Sequence, residues 1–136
     1  MEHWTDYMKR NAIPPQEAME LLAGWCEDES AIGMVFIASA QAALTMRTRV
    51  QRISGGRLEL HDPEYPAGAT FGLSDAGFQY GPVMMFPRWP LPPPVNVRGL
   101  SVWLPTGSWL FLWDARPGTP GDGLIGPNLL GPARTV

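Results

Sequence analysis

Few side chains in this sequence are suited to catalysis. There is one cysteine, Cys26, and two histidines, His3 and His61. Cys26 precedes Glu27-Asp28-Glu29, and neighbouring carboxylates disfavour the thiolate a nucleophile needs. A half-buried structural thiol is the plainer reading. His61-Asp62, with Glu64 close behind, is the one place where an imidazole and carboxylates gather. Consecutive strand residues point to opposite faces, so His61 and Asp62 do not share a ligand unless a turn begins there. His3 lies near the chain's beginning and is a poor second ligand. No glycine loop opens a helix to cradle phosphate, and neither Gly-x-Ser-x-Gly nor His-Glu-x-x-His occurs. No catalytic residue, metal ligand or cofactor is assigned, and binding is preferred to catalysis. An enzyme whose site converges from scattered residues is the alternative.

The clearest electrostatic feature is arginine. Nine arginines stand against one lysine, and the guanidinium fork suits phosphate and carboxylate better than an ammonium does. Arg47, Arg49 and Arg57 fall on one face of an expected hairpin and are the candidate ligand site, with RNA or nucleotide phosphate as the ligand. The competing reading pairs them with Glu59, with the acidic first segment or with a neighbouring subunit. Trp89, Trp103, Trp109 and Trp113 are able to stack bases, or to fill core and interface. The run Phe86-Pro87-Arg88-Trp89-Pro90-Leu91-Pro92-Pro93-Pro94 reads as a polyproline connector. As an adaptor-domain ligand it falls short, because three residues on from Arg88 stands Leu91 rather than proline.

Composition narrows the classes further. With 136 residues, 45% hydrophobic and 17% charged, the chain makes one globular domain. Fifteen glycines and fifteen prolines favour short strands and turns over long helices. A single cysteine excludes an internal disulfide framework and a cysteine-built zinc site. A net charge of −3 gives no global pull toward DNA or an anionic membrane. The start Met1-Glu2-His3-Trp4-Thr5-Asp6 does not read as a secretory leader, and Ala31 to Leu44 is too short to cross a bilayer. The default expectation is a cytoplasmic protein. Charge is uneven: residues 1–30 hold two cations against seven acids, whereas 31–60 hold four arginines against Glu59.

These residues must be positioned by an N-terminal helix and a series of strands. Pro14-Pro15 opens the helix, and Ala18, Leu21, Leu22 and Trp25 form its apolar stripe. Glu27-Asp28-Glu29 oppose the dipole at its end and stop it. Ile32 to Ala38 reads as a buried strand, and Leu44 to Ile53 alternates. Gly55-Gly56 turns the chain into Arg57–His61. A two-residue turn would set Leu60 against Gln51, so a three-residue Ser54-Gly55-Gly56 loop is expected. It places Val50 opposite Leu60, Arg49 opposite His61 and Gln51 opposite Glu59, and leaves Arg52 on the apolar side. Further hairpins turn at Ser74-Asp75-Ala76-Gly77, with positive φ expected at the glycine, and at Pro105-Thr106-Gly107-Ser108. On the last strand Trp109, Phe111 and Trp113 share one face and Leu110 and Leu112 the other, so it should be buried on both sides. Three parts are expected: an acidic helical segment (1–30) packed on an antiparallel β-barrel (31–113) that carries the Pro-rich insert 86–94, and an extended tail (114–136). Trp109, Phe111 and Trp113, with Leu124, Ile125, Leu129 and Leu130 of the tail, are the candidate oligomer interface.

The order of helix, Met34–Ala38, bent strand Leu44–Ile53, glycine turn and Arg57–His61 resembles the Sm-like small β-barrels. That resemblance implies a strongly bent antiparallel barrel and a homo-oligomeric ring that binds single-stranded RNA. It carries over no binding residue, since no residue-level motif matches. The PilZ-type cyclic-dinucleotide receptors are also similar in part. Ser74 and Gly77 match the second half of their Asp/Asn-x-Ser-x-x-Gly motif, but Gly72 stands at the acidic position. Arg47, Arg49 and Arg52 depart from that family's four-residue arginine spacing.

Overall fold

The structure is a computed structural model, and it describes residues 9–39, 42–62, 68–82 and 97–121. Helix α1 spans Pro15–Glu27. Pro14 caps it in extended backbone and proline occupies the first helical position, where a missing N–H costs nothing. Ala18, Leu22 and Trp25 are buried and Leu21 is half-buried against the core, as the stripe requires. At the far end Ser30 donates its N–H to the Trp25 carbonyl and Glu29 to that of Cys26. This is a Schellman closure, with Glu29 at φ 53° where glycine is usual.

Among the described residues eight antiparallel strands follow, and the fold is mainly β. They are β1 Ile32–Ser39, β2 Ala42–Thr48, β3 Val50–Ser54, β4 Arg57–His61, β5 Gly68–Gly72, β6 Gly77–Pro82, β7 Arg98–Trp103 and β8 Trp109–Asp114. One sheet has the order β2-β1-β8-β7-β6 and the other β3-β4-β5. The expected bent strand is present as β2 and β3, broken only at Arg49, and it carries the chain from the first sheet into the second. Among the described residues the two sheets do not close on each other.

The β3–β4 hairpin corrects the expected register. Ser54 pairs with Arg57 and Ile53 with Leu58, so the loop is two residues, Gly55 and Gly56, both at positive φ as a tight primed turn demands. The parity conflict is resolved by a bulge. Arg52 pairs with Glu59, yet Val50 pairs with Leu60, so Gln51 is the extra residue. Val50 is thereby returned to the core, while Arg52 is exposed rather than left on the apolar side. The Cys26 thiol donates to the Gln51 carbonyl at 3.5 Å, joining helix to bulge. A second correction concerns the Leu73–Ala76 turn, where Asp75, not Gly77, takes positive φ (60°). An aspartate tolerates this conformation better than most residues. The Pro105 turn is as expected, with Gly107 at φ 87°.

The main core lies between the sheets and under α1. Leu22 of the helix, Ile32 and Met34 of β1, Val50, Leu58, Leu60, Leu100, Val102, Leu110 and Leu112 all meet there. Each such Leu or Ile removed from water contributes about 2 kcal/mol before entropy. β8 is central in its sheet and buried on both faces, with Leu110 and Leu112 in this core. Trp109, Phe111 and Trp113 form a second layer with Val35, Val97 and Ala115. Gly33 and Gly99, on the strands flanking β8, provide the room: a Cβ at Gly33 would overlap the Trp113 indole, and one at Gly99 would overlap the Phe111 ring and the Leu112 carbonyl.

The chain after β8 folds back. Thr119 donates its N–H to the Arg116 carbonyl at 3.1 Å, with Pro117 and positive-φ Gly118 (85°) between them, a type II turn. The Trp113 indole N–H then donates to the Gly121 carbonyl at 3.2 Å. The chain just after β8 is therefore a compact turn, and residues 122–136 of the expected tail lie outside the described residues.

Candidate functional site

Three rows of residues build the outer face of the β3–β4–β5 sheet. Alternation along β4 turns Leu58 and Leu60 inward and Arg57, Glu59 and His61 outward. At one end His61 donates its backbone N–H to the Arg49 carbonyl at 3.0 Å and pairs with Gly68. In the middle Arg52, Glu59 and Thr70 stand side by side, and at the other end Ser54, Arg57 and Gly72 do so. The polar face thus bears Arg49, Arg52, Arg57 and His61 against the single acid Glu59.

Glu59 has a partner other than the candidate arginines. Arg52 approaches it at 3.9 Å and also donates to Ser54 Oγ at 3.2 Å. The bulge at Gln51 makes this pairing, which is why the spacing of the sequence alone did not reveal it. Among the described residues Arg47, Arg49 and Arg57 form no ion pair or side-chain hydrogen bond. Arg47 and Arg57 are exposed and Arg49 is half-buried at the bend. The three are not one tight cluster, however. Arg49 and Arg57 flank opposite ends of β4, about 13 Å apart at its rise per residue. Arg47 lies on β2, paired with Gly33, on the outer face of the larger sheet.

The acidic end of α1 leaves these arginines alone as well. Among the described residues no ion pair joins Glu17, Glu20, Glu27, Asp28 or Glu29 to them. Asp28 instead adds to the field at Arg116. Arg116 forks onto Asp114, with Nη2 to Oδ2 at 2.7 Å and Nε to Oδ1 at 3.0 Å. Burial works against the Asp114 charge, but the hydrogen bonds and charge of Arg116 outweigh it and hold the carboxyl below its ordinary range. The same hydrogen bonds raise the Arg116 guanidinium.

The other expected residues are placed as follows. His61 is half-buried, and its ring lies close over Gly68, where a Cβ would come within 3.3 Å of it. Asp62 is buried on the opposite side. Among the described residues no three His, Cys, Asp or Glu side chains converge. No described helix is long and apolar enough to cross a membrane. Trp109, Phe111 and Trp113, expected at an interface, are 3%, 0% and 0% exposed within the single chain. Leu124, Ile125, Leu129 and Leu130, together with the polyproline insert 86–94, lie outside the described residues.

Two polar side chains were not singled out from the sequence. Gln79 and Ser101 pair across β6 and β7 and are buried beside the aromatic layer, with Gln79 Oε1 and Ser101 Oγ lacking hydrogen-bond partners among the described residues. The alternation that turns Leu100 and Val102 into the core turns Ser101 outward, and that is the signal by which it could have been found. No protein-family model, curated protein or solved structure matches this chain.

Proposed function

We propose that this chain is a non-enzymatic binding module that takes an extended anion, single-stranded RNA being the class that fits. The observation that carries this reading is that, among the described residues, Arg47, Arg49 and Arg57 have no ion-pair or side-chain hydrogen-bond partner while Glu59 is approached by Arg52. Arg49 and Arg57, about 13 Å apart along one face, with Arg47 beyond them on the neighbouring sheet, suit several phosphates in succession better than one compact anion. A single-stranded ligand suits that spacing, because its phosphates adapt to charges lying on a curved surface. The Sm-like resemblance points to the same ligand class, through the helix, the bent strand and the glycine turn. The ring that the resemblance implies is not required for this reading.

The test is fluorescence anisotropy with a short labelled oligouridylate across a salt series. Binding should weaken with salt, with a logarithmic slope of about −0.7 for each phosphate neutralised. Arg49→Gln and Arg57→Gln should each weaken binding and reduce the slope by about one phosphate's worth. Absence of binding at low salt, or affinity untouched by both substitutions, overturns the reading.

A further inference from the structure

Among the described residues β5 is hydrogen-bonded on one side only, by β4. Its sequence, Gly68-Ala69-Thr70-Phe71-Gly72, contains none of the devices that protect a sheet edge: no proline, no lysine and no charge of any kind. Thr70 and Gly72 are exposed, and a Cβ at Gly72 would meet nothing within 4 Å. The edge is also self-complementary. About a two-fold axis at Thr70, an antiparallel copy sets Gly68 against Gly72, Ala69 against Phe71 and Thr70 against Thr70. Small then meets large on the inner face, and two threonines meet on the outer face, a favourable cross-strand pair. The glycines leave both ends free of side-chain collision.

We propose that the open edge of β5 docks the β5 of a second copy of this chain, joining two three-stranded sheets into one of six. About four to six backbone hydrogen bonds close the seam. The dimer also rearranges the arginine face, and here the inference rests on the anion-binding reading. Across the seam each row runs Arg57, Gly72, then Gly68 and His61 of the second copy. Arg57 and that His61 are three strand spacings apart, about 14 Å between Cα atoms, with two glycines as the floor between them. Two equivalent grooves result, each walled by Arg57 of one copy and by His61 and Arg49 of the other. Groups that a single chain holds at opposite ends of β4 thereby come to serve one groove. Like charges stay apart, since the two Glu59–Arg52 pairs are separated by both β5 strands.

The decisive experiment is solution mass by light scattering on the full chain throughout the micromolar range. The wild type should show a two-chain mass, and Thr70→Lys, which sets two ammonium groups face to face at the axis, a one-chain mass. Gly72→Lys is the second variant, and thermal unfolding of both verifies that the fold is retained. A one-chain wild type, a ring of several copies, or a two-chain mass indifferent to both substitutions overturns the proposal. The labelled oligouridylate separates the two readings. With a shared groove, affinity falls about tenfold in the one-chain variants despite their added charge. Unchanged or tighter binding overturns the groove while leaving the pairing, and a wild-type dimer without RNA affinity overturns the anion reading alone.

Discussion

Glu29 holds backbone that its side chain resists. At φ 53° a non-glycine residue costs about 1 kcal/mol more than glycine, and its carboxylate adds to the negative end of α1. The helix is nevertheless closed there, because Ser30 and Glu29 both find carbonyl partners. Glu29→Gly should therefore stabilise by about 1 kcal/mol, raising the midpoint of thermal unfolding by about 4 °C; a lower midpoint would refute this account of the helix end. Asp114 carries a second expectation. Its folded-state pKa is depressed, so its contribution is complete above the unfolded value, about pH 3.9. It is lost as pH falls through the lower folded value. The difference in melting midpoint between wild type and Asp114→Asn should be constant above about pH 5 and fall away as pH drops through and below the ordinary carboxyl range. Both features lie at a stop signal or in a Gly/Pro-rich stretch that the sequence marks. Their partners, by contrast, are set by backbone geometry that no residue type announces.

At the scale of elements, β8 depends on the absence of side chains on its neighbours. The Trp113 indole lies across Gly33, and the Phe111 ring lies over Gly99. Gly33→Ala should cost about 1–3 kcal/mol by driving a methyl group into the indole, whereas Gly24→Ala, with open space at its helical position, should stabilise by about 0.5–1 kcal/mol. Unfolding in urea with both variants measures the contrast. The double burial of β8 was legible from Trp109, Phe111 and Trp113 alternating with Leu110 and Leu112, because period-two alternation with both sets apolar leaves no solvent face. The hairpin was legible as a turn but not in its register. Gly55-Gly56 favours two residues and Leu58/Leu60 oppose it, and a three-residue loop satisfies only the latter. A bulge at Gln51 satisfies both, and a conflict between turn chemistry and strand parity is itself the mark of one extra residue.

For the molecule as a whole, the division of charge between the first 30 residues and the next 30 suggested neutralisation of one by the other. The fold places Arg52 and Arg57 on the β3–β4–β5 face, Arg49 at the bend and Arg47 on β2, while Arg116, which follows β8, comes within the field of Asp28. That arrangement was not legible, because which surfaces meet depends on long-range strand pairing. The bent strand, the N-terminal helix and the mainly β architecture could be read, since each follows from local period and turn residues. The split into two sheets is decided by where β8 inserts, and Ile32 of β1 pairs with Asp114 of β8. This pairing between the first strand and the last has a kinetic consequence. On the ribosome, β1 emerges with one whole edge unmatched and waits until β8 has been made. Folding is dominated by distant partners and belongs to the slow, millisecond-to-second class. In that interval the apolar segment around Met34 and Phe36 is the part of the nascent chain most in need of a chaperone.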